Sequence, residues 1–286
     1  MKRRLTALGC LTAMGLVLLD GQTAQAGVRE GLRLCAGAVV PALLPFFVLS
    51  NLLTQELWGQ SGRFLRSLGK LFRIPEGAEC LLIPAFLGGY PAGAGAVGQA
   101  YASGGLTKDQ AQRLLGYCSN VGPAFLFGIV AGAFGNPAAG WRLWGQQILG
   151  ALAAARLLPG APGKAAAYEE TDHGDLFSLT ALTIGKICVT VVLFRVILCY
   201  TAKFFPMDGI VGVILGGLLE LTNGCCALKA VPVVLRESVA GGLMALGGVC
   251  VLFQTKGVTE GLRLKYYFAG KGIQALICIL GGCLKF

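Results

Sequence analysis

The chain has 286 residues, of which 55% are hydrophobic and 13% are charged, and its mean hydropathy is +0.69. Soluble domains carry about 25% charged residues, so this composition excludes an ordinary soluble domain and indicates a protein embedded in a membrane. The formal net charge of +10 does not indicate nucleic-acid binding. The basic residues are instead spread over short segments beside apolar stretches, as the positive-inside rule predicts for a membrane protein.

The first apolar stretch of the chain is open to two interpretations. The sequence begins with Lys and Arg residues, continues with an apolar run at about 5–19 and then contains Ala24-Gln25-Ala26. This pattern is typical of a secretory signal peptide. Because the remainder of the chain is also apolar, we favour an uncleaved N-terminal transmembrane helix at 1–27.

Apolar spans and interruptions alternate along the rest of the first half. A second span is predicted at about 36–53, and a basic amphipathic connector at 54–76 is expected to lie in the membrane interface. Three further apolar segments follow, the first of them interrupted: about 80–103, 117–134 and 141–158.

A polar linker at 159–175, rich in Pro, Gly and charged residues, divides the chain near its middle. The second half then repeats the plan of the first with a span, an interrupted segment and two more spans: about 176–200, 209–234, 239–254 and 266–284. The distribution of basic loops places the two interrupted segments in opposite orientations. We therefore predict an all-α, polytopic membrane helical bundle with inverted repeats at 28–158 and 176–286 and with re-entrant or broken helices.

The interrupted segment of the first half contains a motif rich in Gly and Pro. Two adjacent glycines allow unusual backbone angles and a proline removes a backbone donor, so a helix is expected to stop here. Non-helical backbone at membrane depth is tolerated only inside protein or beside a wet cavity. We therefore predict a substrate site that includes Gly88, Gly89, Tyr90, Pro91 and Gly93, with close packing of small residues at a simple kink as the alternative.

A second polar interruption runs from Cys118 to Pro123 and precedes an apolar run. Ser119 or Asn120 is expected to cap a helix that begins near Pro123. Free N–H groups at such a helix start favour an anion. Ser119, Asn120 and Gly122 are therefore candidate substrate ligands, with an ordinary helix cap at the membrane surface as the alternative.

The interrupted segment of the second half carries a carboxylate, Glu220, within a Leu-rich run. A charge in an apolar span is costly and indicates a functional site. Glu220 is expected to bind a proton or Na+, or to hold the interruption closed by accepting backbone N–H groups; an interfacial helix end is the alternative. Small polar neighbours at the same place are further candidates: Thr222, Asn223 and Gly224.

Three more polar residues stand out within apolar spans. Gln254 is a candidate site residue, although it is equally consistent with the point where a span leaves the membrane. Lys186 and Arg195 lie in the span after the linker and could counter an anionic substrate. Snorkelling of the side chain explains Arg195 more easily than Lys186, so we include Lys186 in the candidate site.

The sequence contains no P-loop, HExxH or GxSxG motif, no CxxC pair among its eleven cysteines and only one histidine, His173. We therefore expect neither an enzyme nor a resident metal or cofactor.

Six motifs follow one another along the chain: VREGLRL from Val28, VPALLPFF from Val40, GYPAGA from Gly89, CSNVGPAFLFG from Cys118, ELTNG from Glu220 and GGVCVLFQ from Gly247. Together they resemble the sporulation integral membrane protein YlbJ family. The resemblance implies a relation to nucleoside-recognition Gate-domain proteins and concentrative nucleoside transporters. The chain departs from the family in a shorter central linker and in Lys186, where a small residue is expected.

The resemblance implies a multi-pass protein of the cell membrane in a spore-forming bacterium, in a membrane around the developing spore. It also implies transport of dipicolinic acid, a small planar aromatic dianion. We therefore expect a carrier that works by alternating access, with a small anionic substrate and the lipid bilayer as its partners. Two alternatives stay open: a nucleoside or nucleobase carrier of the same fold, and a non-transporting scaffold for sporulation proteins. Coupling to Na+ or H+ and assembly into a homo-oligomer also stay open.

Overall fold

The computed structural model describes residues 2–167, 173–205 and 207–284. Within these ranges the chain forms helices and connecting segments and no β-strand, with one isolated bridge between Glu76 and Lys164. Three helical runs in these ranges are long and apolar enough to cross a membrane, and a bent helix pair near the N-terminus gives a fourth candidate. The all-α membrane bundle predicted from the sequence is confirmed.

The N-terminal helices α1 (Lys2–Leu19) and α2 (Gly21–Leu34) meet at a bend of 100°. Asp20 occupies the bend and caps α2 by accepting a hydrogen bond from the backbone N–H of Thr23. Helix α2 continues through a π-helical turn at Cys35–Val39 into α3 (Val40–Leu57).

The connector predicted after the second span contains a short amphipathic helix, α4 (Arg63–Leu71). The chain then enters the first interrupted segment through a 3-10 turn and a π-helical turn that ends at Gly88. Gly89 has a φ of +80°, and the Tyr90–Pro91 peptide bond is cis. Helix α5 (Ala92–Ala102) begins directly afterwards, so the helix interruption expected at this motif is confirmed.

The remainder of the first half contains α6 (Lys108–Leu114), α7 (Pro123–Phe125) and α8 (Pro137–Leu157). Non-helical backbone separates α6 from α7, and α7 continues as π and 3-10 turns to Ala133. Of the predicted linker at 159–175, residues 168–172 lie outside the described ranges.

The second half contains six helices in the described ranges: α9 (His173–Phe204), α10 (Gly209–Leu219), α11 (Leu221–Cys226), α12 (Val233–Leu246), α13 (Gly248–Val258) and α14 (Lys265–Leu284). Glu220 has an extended backbone conformation and separates α10 from α11. Gly247, in the left-handed conformation, separates α12 from α13. The interruption expected at Glu220 is therefore confirmed.

Each half brings its two interruptions into direct contact through glycines. A Cβ atom on Gly89 would lie 3.0 Å from the backbone nitrogen of Gly122, and a Cβ atom on Gly248 would lie 2.7 Å from the carbonyl oxygen of Gly217. Only residues without a side chain allow backbones to approach this closely. Each half thus contains one such close backbone contact, while the division into inverted repeats at 28–158 and 176–286 stays a prediction.

Two groups of helices surround these interruptions. Helix α14 packs against α8 and α12, and α2 packs along α9. Gly27 and Gly31 of α2 face Val196 and Val192 of α9, where a Cβ atom would come within 2.8 Å of the valine Cα in each case. Small residues four apart are typical of membrane helices that pack closely.

Candidate functional site

The interruption at Gly89 and the interruption at Glu220 line one central cavity of about 450 Å3. The first contributes Gly88, Gly89 and Tyr90, and the second contributes Glu220, Leu221 and Thr222. The junction of α2 and α3, residues 121–129, α9 and α13 complete the wall. Most of the lining is apolar, and its polar side chains are few: Tyr90, Glu220, Thr222 and Gln254. An apolar cavity with a small number of convergent polar groups is the usual form of a small-molecule site.

Glu220 acts as the N-cap of α11. Its two carboxylate oxygens accept hydrogen bonds from the backbone N–H groups of Thr222, at 3.1 Å, and Asn223, at 2.8 Å. These are donors that an isolated helix start leaves without partners. The side chain is almost fully buried, with 3% of its surface exposed. Glu220 therefore adopts the geometry of one of its expected roles, which is to hold the interruption closed through backbone donors.

Asn120 stabilises the first interruption through backbone carbonyl groups, whereas Glu220 binds backbone N–H groups. Its side-chain amide donates hydrogen bonds to the carbonyl oxygens of Ala85, at 3.2 Å, and Tyr117, at 2.8 Å. The expectation that Ser119 or Asn120 caps the next helix is wrong, because Gly122 is the N-cap of α7 and no side chain caps that helix. The reason is that Asn120 satisfies carbonyl groups of broken backbone instead.

A buried lysine lies behind the wall of the cavity. Lys271 of α14 is 2% exposed, and its ammonium group donates a hydrogen bond to the Tyr90 hydroxyl at 2.6 Å and another to the carbonyl oxygen of Ser119. The Tyr90 hydroxyl in turn donates to the carbonyl oxygens of Met244, at 2.9 Å, and Ala245, at 3.3 Å. These carbonyls belong to the last turn of α12, just before Gly247. The cluster therefore connects α14 with three interruptions of the backbone.

Lys271 has no carboxylate partner within ion-pair distance among the residues that the structure describes. Its charge is instead satisfied by oxygen dipoles and by the ring of Tyr90, whose centroid lies 4.7 Å from the ammonium nitrogen. Lys271 is not among the site residues predicted from the sequence. A lysine between two glycines inside the apolar stretch 266–284 was the available signal, because a charge within a span indicates a function.

The other predicted site residues occupy four kinds of position. Gln254 lines the cavity and donates to the Cys250 sulfur, whereas Pro91 and Gly93 are buried at the start of α5 without lining it. Gly224 is buried against Gly217. The side chain of Asn223 faces a second cavity, described below. Lys186 is exposed in a separate groove between α9 and α13.

The side chains of the site do not form a metal centre. In the described ranges, no three or more His, Cys, Asp or Glu side chains are grouped so that they could hold a metal ion. The acidic member of the central cavity, Glu220, uses its oxygens for backbone N–H groups. What the arrangement offers a ligand is a largely apolar cavity with a few hydrogen-bonding groups and a lysine behind its wall.

Among curated proteins, the chain is similar to the sporulation integral membrane protein YlbJ of Bacillus subtilis (strain 168), with 32% identity over 131 residues. The match supports the assignment of the chain to the YlbJ family. The alignment covers 44% of this chain and 31% of the relative, so the chain matches about a third of the length of YlbJ. No protein-family model matches the chain, and no solved structure matches it at a significant level.

The resemblance to the YlbJ family that the six motifs predicted is thereby confirmed, while the relation to Gate-domain proteins stays a prediction. The apolar helices, together with the similarity to an integral membrane protein, identify the chain as a multi-pass integral membrane protein.

Proposed function

We propose that the chain is a membrane carrier for a small organic anion, rather than an enzyme, and that the anion binds in the central cavity. The observation that supports this proposal is that Gly89 and Glu220, at one helix interruption from each half, line the same cavity. Paired interruptions of this kind form the binding sites of many secondary transporters. The volume of about 450 Å3 falls in the range of small-molecule sites, about 300–1,000 Å3.

The distribution of charge around the cavity favours an anion. Lys271 places a buried positive charge behind Tyr90 and has no carboxylate partner in the described ranges. The helix that begins at Pro123 lines the cavity with its first turn, which no side chain caps, and its N–H groups favour negative charge. The charge of Glu220 opposes an anion, but two N–H groups at the start of α11 partly offset it.

Dipicolinic acid is the substrate that the family resemblance suggests, and its chemistry fits the cavity. A planar aromatic ring needs apolar walls, which Phe125, Val191 and Val251 provide. Its carboxylates need hydrogen-bond donors and positive charge. The helix start at Gly122 offers the donors, and Lys271, behind Tyr90, offers the charge. We propose alternating access of this cavity to the two membrane surfaces as the transport mechanism.

Uptake by the full-length chain reconstituted in liposomes tests the proposal. We expect saturable uptake of radiolabelled dipicolinate, and no uptake of uridine above that of empty liposomes. Lys271→Met removes the buried charge from the cavity wall and is expected to reduce dipicolinate uptake at least about tenfold. Uptake of uridine in place of dipicolinate would favour the nucleoside carrier, and uptake of neither substrate would favour the scaffold.

A further inference from the structure

A second cavity, here called the vestibule, lies between α2, α9 and α11 and has a volume of about 430 Å3. Its polar lining consists of Glu30, Arg33, Arg195 and Asn223, together with Thr222. The vestibule shares three lining residues with the central cavity: Gly37, Ala38 and Thr222. The two cavities are therefore neighbours separated by a thin wall of small side chains.

One face of α9 runs past both cavities. Ile187 and Val191 line the central cavity, and Arg195 lines the vestibule. Residues four apart lie on the same face of a helix, so these three side chains form one row. Arg195 lies nine residues before the end of α9, or roughly 14 Å along the helix axis, and is inside the apolar span Thr180–Phe204. An arginine at such a position indicates a functional site.

The vestibule contains more positive than negative charge. Arg195 forms an ion pair with Glu30 and also donates a hydrogen bond to the side-chain oxygen of Asn223 on α11. Arg33, one turn away from Glu30 on α2, forms no ion pair within the described part of the chain. Two guanidinium groups thus face a space that contains one carboxylate.

We propose that the vestibule is an entrance for carboxylate anions and that Arg195 is its specificity-determining residue. An incoming carboxylate takes the place of Glu30 on the Arg195 guanidinium, whose planar fork of donors matches a carboxylate. A second carboxylate of the same molecule pairs with Arg33. The ligand class is therefore a small dicarboxylate. Arg195 also donates a hydrogen bond to Asn223 of α11. An anion that binds Arg195 therefore alters a contact of α11, the helix whose residues Leu221 and Thr222 line the central cavity.

This inference rests on the proposed carrier function, because an entrance matters only if the central cavity accepts the anion. A second ion pair between the same two helices supplies a matched control. Lys203 of α9 pairs with Asp20 at the bend before α2, and neither residue lines the vestibule or the central cavity. Lys203→Gln and Arg195→Gln therefore each remove one α2–α9 ion pair, but only the second changes the vestibule.

The experiment measures uptake of dipicolinate, a dianion, and of picolinate, its monoanionic counterpart, in liposomes of phosphatidylcholine alone, so that no anionic headgroup competes for the arginines. We expect Arg195→Gln and Arg33→Gln each to raise the KM for dipicolinate at least about tenfold, the loss of one charge-assisted contact. Picolinate uptake is expected to change less, and Lys203→Gln is expected to leave both KM values unchanged.

The charge-reversed double variant Glu30→Arg with Arg195→Glu separates folding from selectivity. It restores an ion pair between α2 and α9 and keeps two guanidinium groups in the vestibule, but it moves one of them from the α9 row that leads to the central cavity onto α2. We therefore expect normal amounts of folded protein and no recovery of dipicolinate uptake. If wild-type protein transports dipicolinate while Arg195→Gln behaves like Lys203→Gln, or if the double variant regains uptake, the entrance assignment is wrong and the carrier proposal survives. If wild-type protein shows no uptake of either anion, the carrier proposal itself fails, and the entrance fails with it.

Discussion

The ammonium nitrogen of Lys271 and the hydroxyl oxygen of Tyr90 are 2.6 Å apart, although the two residues are separated by 181 positions in the sequence. The tyrosine hydroxyl in turn donates a hydrogen bond to the carbonyl oxygen of Met244. One hydrogen-bonded chain thus connects the first interruption, the end of α12 and α14. Tyr90 lines the central cavity, and Lys271 lies behind it.

Replacement of Lys271 by methionine is expected to reduce transport without reducing stability. Methionine has a similar length and needs no polar partner. It removes the cost of burying an ammonium group that no carboxylate pairs, which offsets the loss of the donor to the Ser119 carbonyl. We therefore expect Lys271→Met to keep the melting temperature in detergent at or above that of the wild type, while dipicolinate uptake falls at least about tenfold. A stable variant with unchanged uptake would show that the charge does not contribute to anion binding.

Tyr90→Phe is the matched variant for the same contact. It removes the hydroxyl group but keeps the aromatic ring and the charge of Lys271, so the ammonium group and the Met244 carbonyl each lose a buried partner. Leaving buried polar groups without partners costs about 1–3 kcal/mol. We expect a lower melting temperature for Tyr90→Phe than for Lys271→Met, measured by thermal unfolding under identical detergent conditions. The reverse order would contradict the assigned hydrogen-bond chain.

The sequence predicts the interruptions well because their causes are local. Gly89 and Pro91 stop a helix whatever surrounds them, and Glu220 caps donors only two and three residues away. The roles of Lys271 and Asn120 were not predicted, because they depend on partners that are distant in sequence. The Ala85 carbonyl reaches Asn120 only after two segments pack together. The sequence therefore indicates where the backbone breaks, but not which side chains satisfy the broken ends.

Gly89→Ala is expected to disrupt the contact between the two interruptions of the first half. Gly89 has a φ of +80°, which an alanine adopts only with strain, and its Cβ atom would lie 3.0 Å from the nitrogen of Gly122. We expect a loss of stability of roughly 1–3 kcal/mol and a loss of uptake. The control is Gly185→Ala in α9, where a Cβ atom meets nothing within 4 Å; alanine there is expected to leave stability unchanged or raise it by up to about 1 kcal/mol. Equal melting temperatures for the two variants would argue against a tight backbone contact at Gly89.

Glu220→Ala tests the cap of α11. The substitution leaves the backbone N–H groups of Thr222 and Asn223 without their acceptors inside the bundle. Loss of a helix cap costs about 0.5–2 kcal/mol, so a fall in melting temperature is expected. Glu220→Gln keeps one side-chain oxygen as an acceptor, and we expect an intermediate melting temperature. If Glu220→Gln matches the wild type in stability but loses uptake, the carboxylate has a role in transport beyond the cap.

Asn120→Ala and Asn120→Asp together test how the first interruption is stabilised. Both variants remove the amide that donates to the carbonyl oxygens of Ala85 and Tyr117, and two buried acceptors without donors cost about 1–3 kcal/mol each. Aspartate keeps the shape of asparagine but brings a negative charge against these carbonyls and into the buried core. We therefore expect Asn120→Asp to be less stable than Asn120→Ala in thermal unfolding, and both to be less stable than the wild type. A wild-type melting temperature for Asn120→Ala would mean that water, rather than this side chain, satisfies the broken helix end.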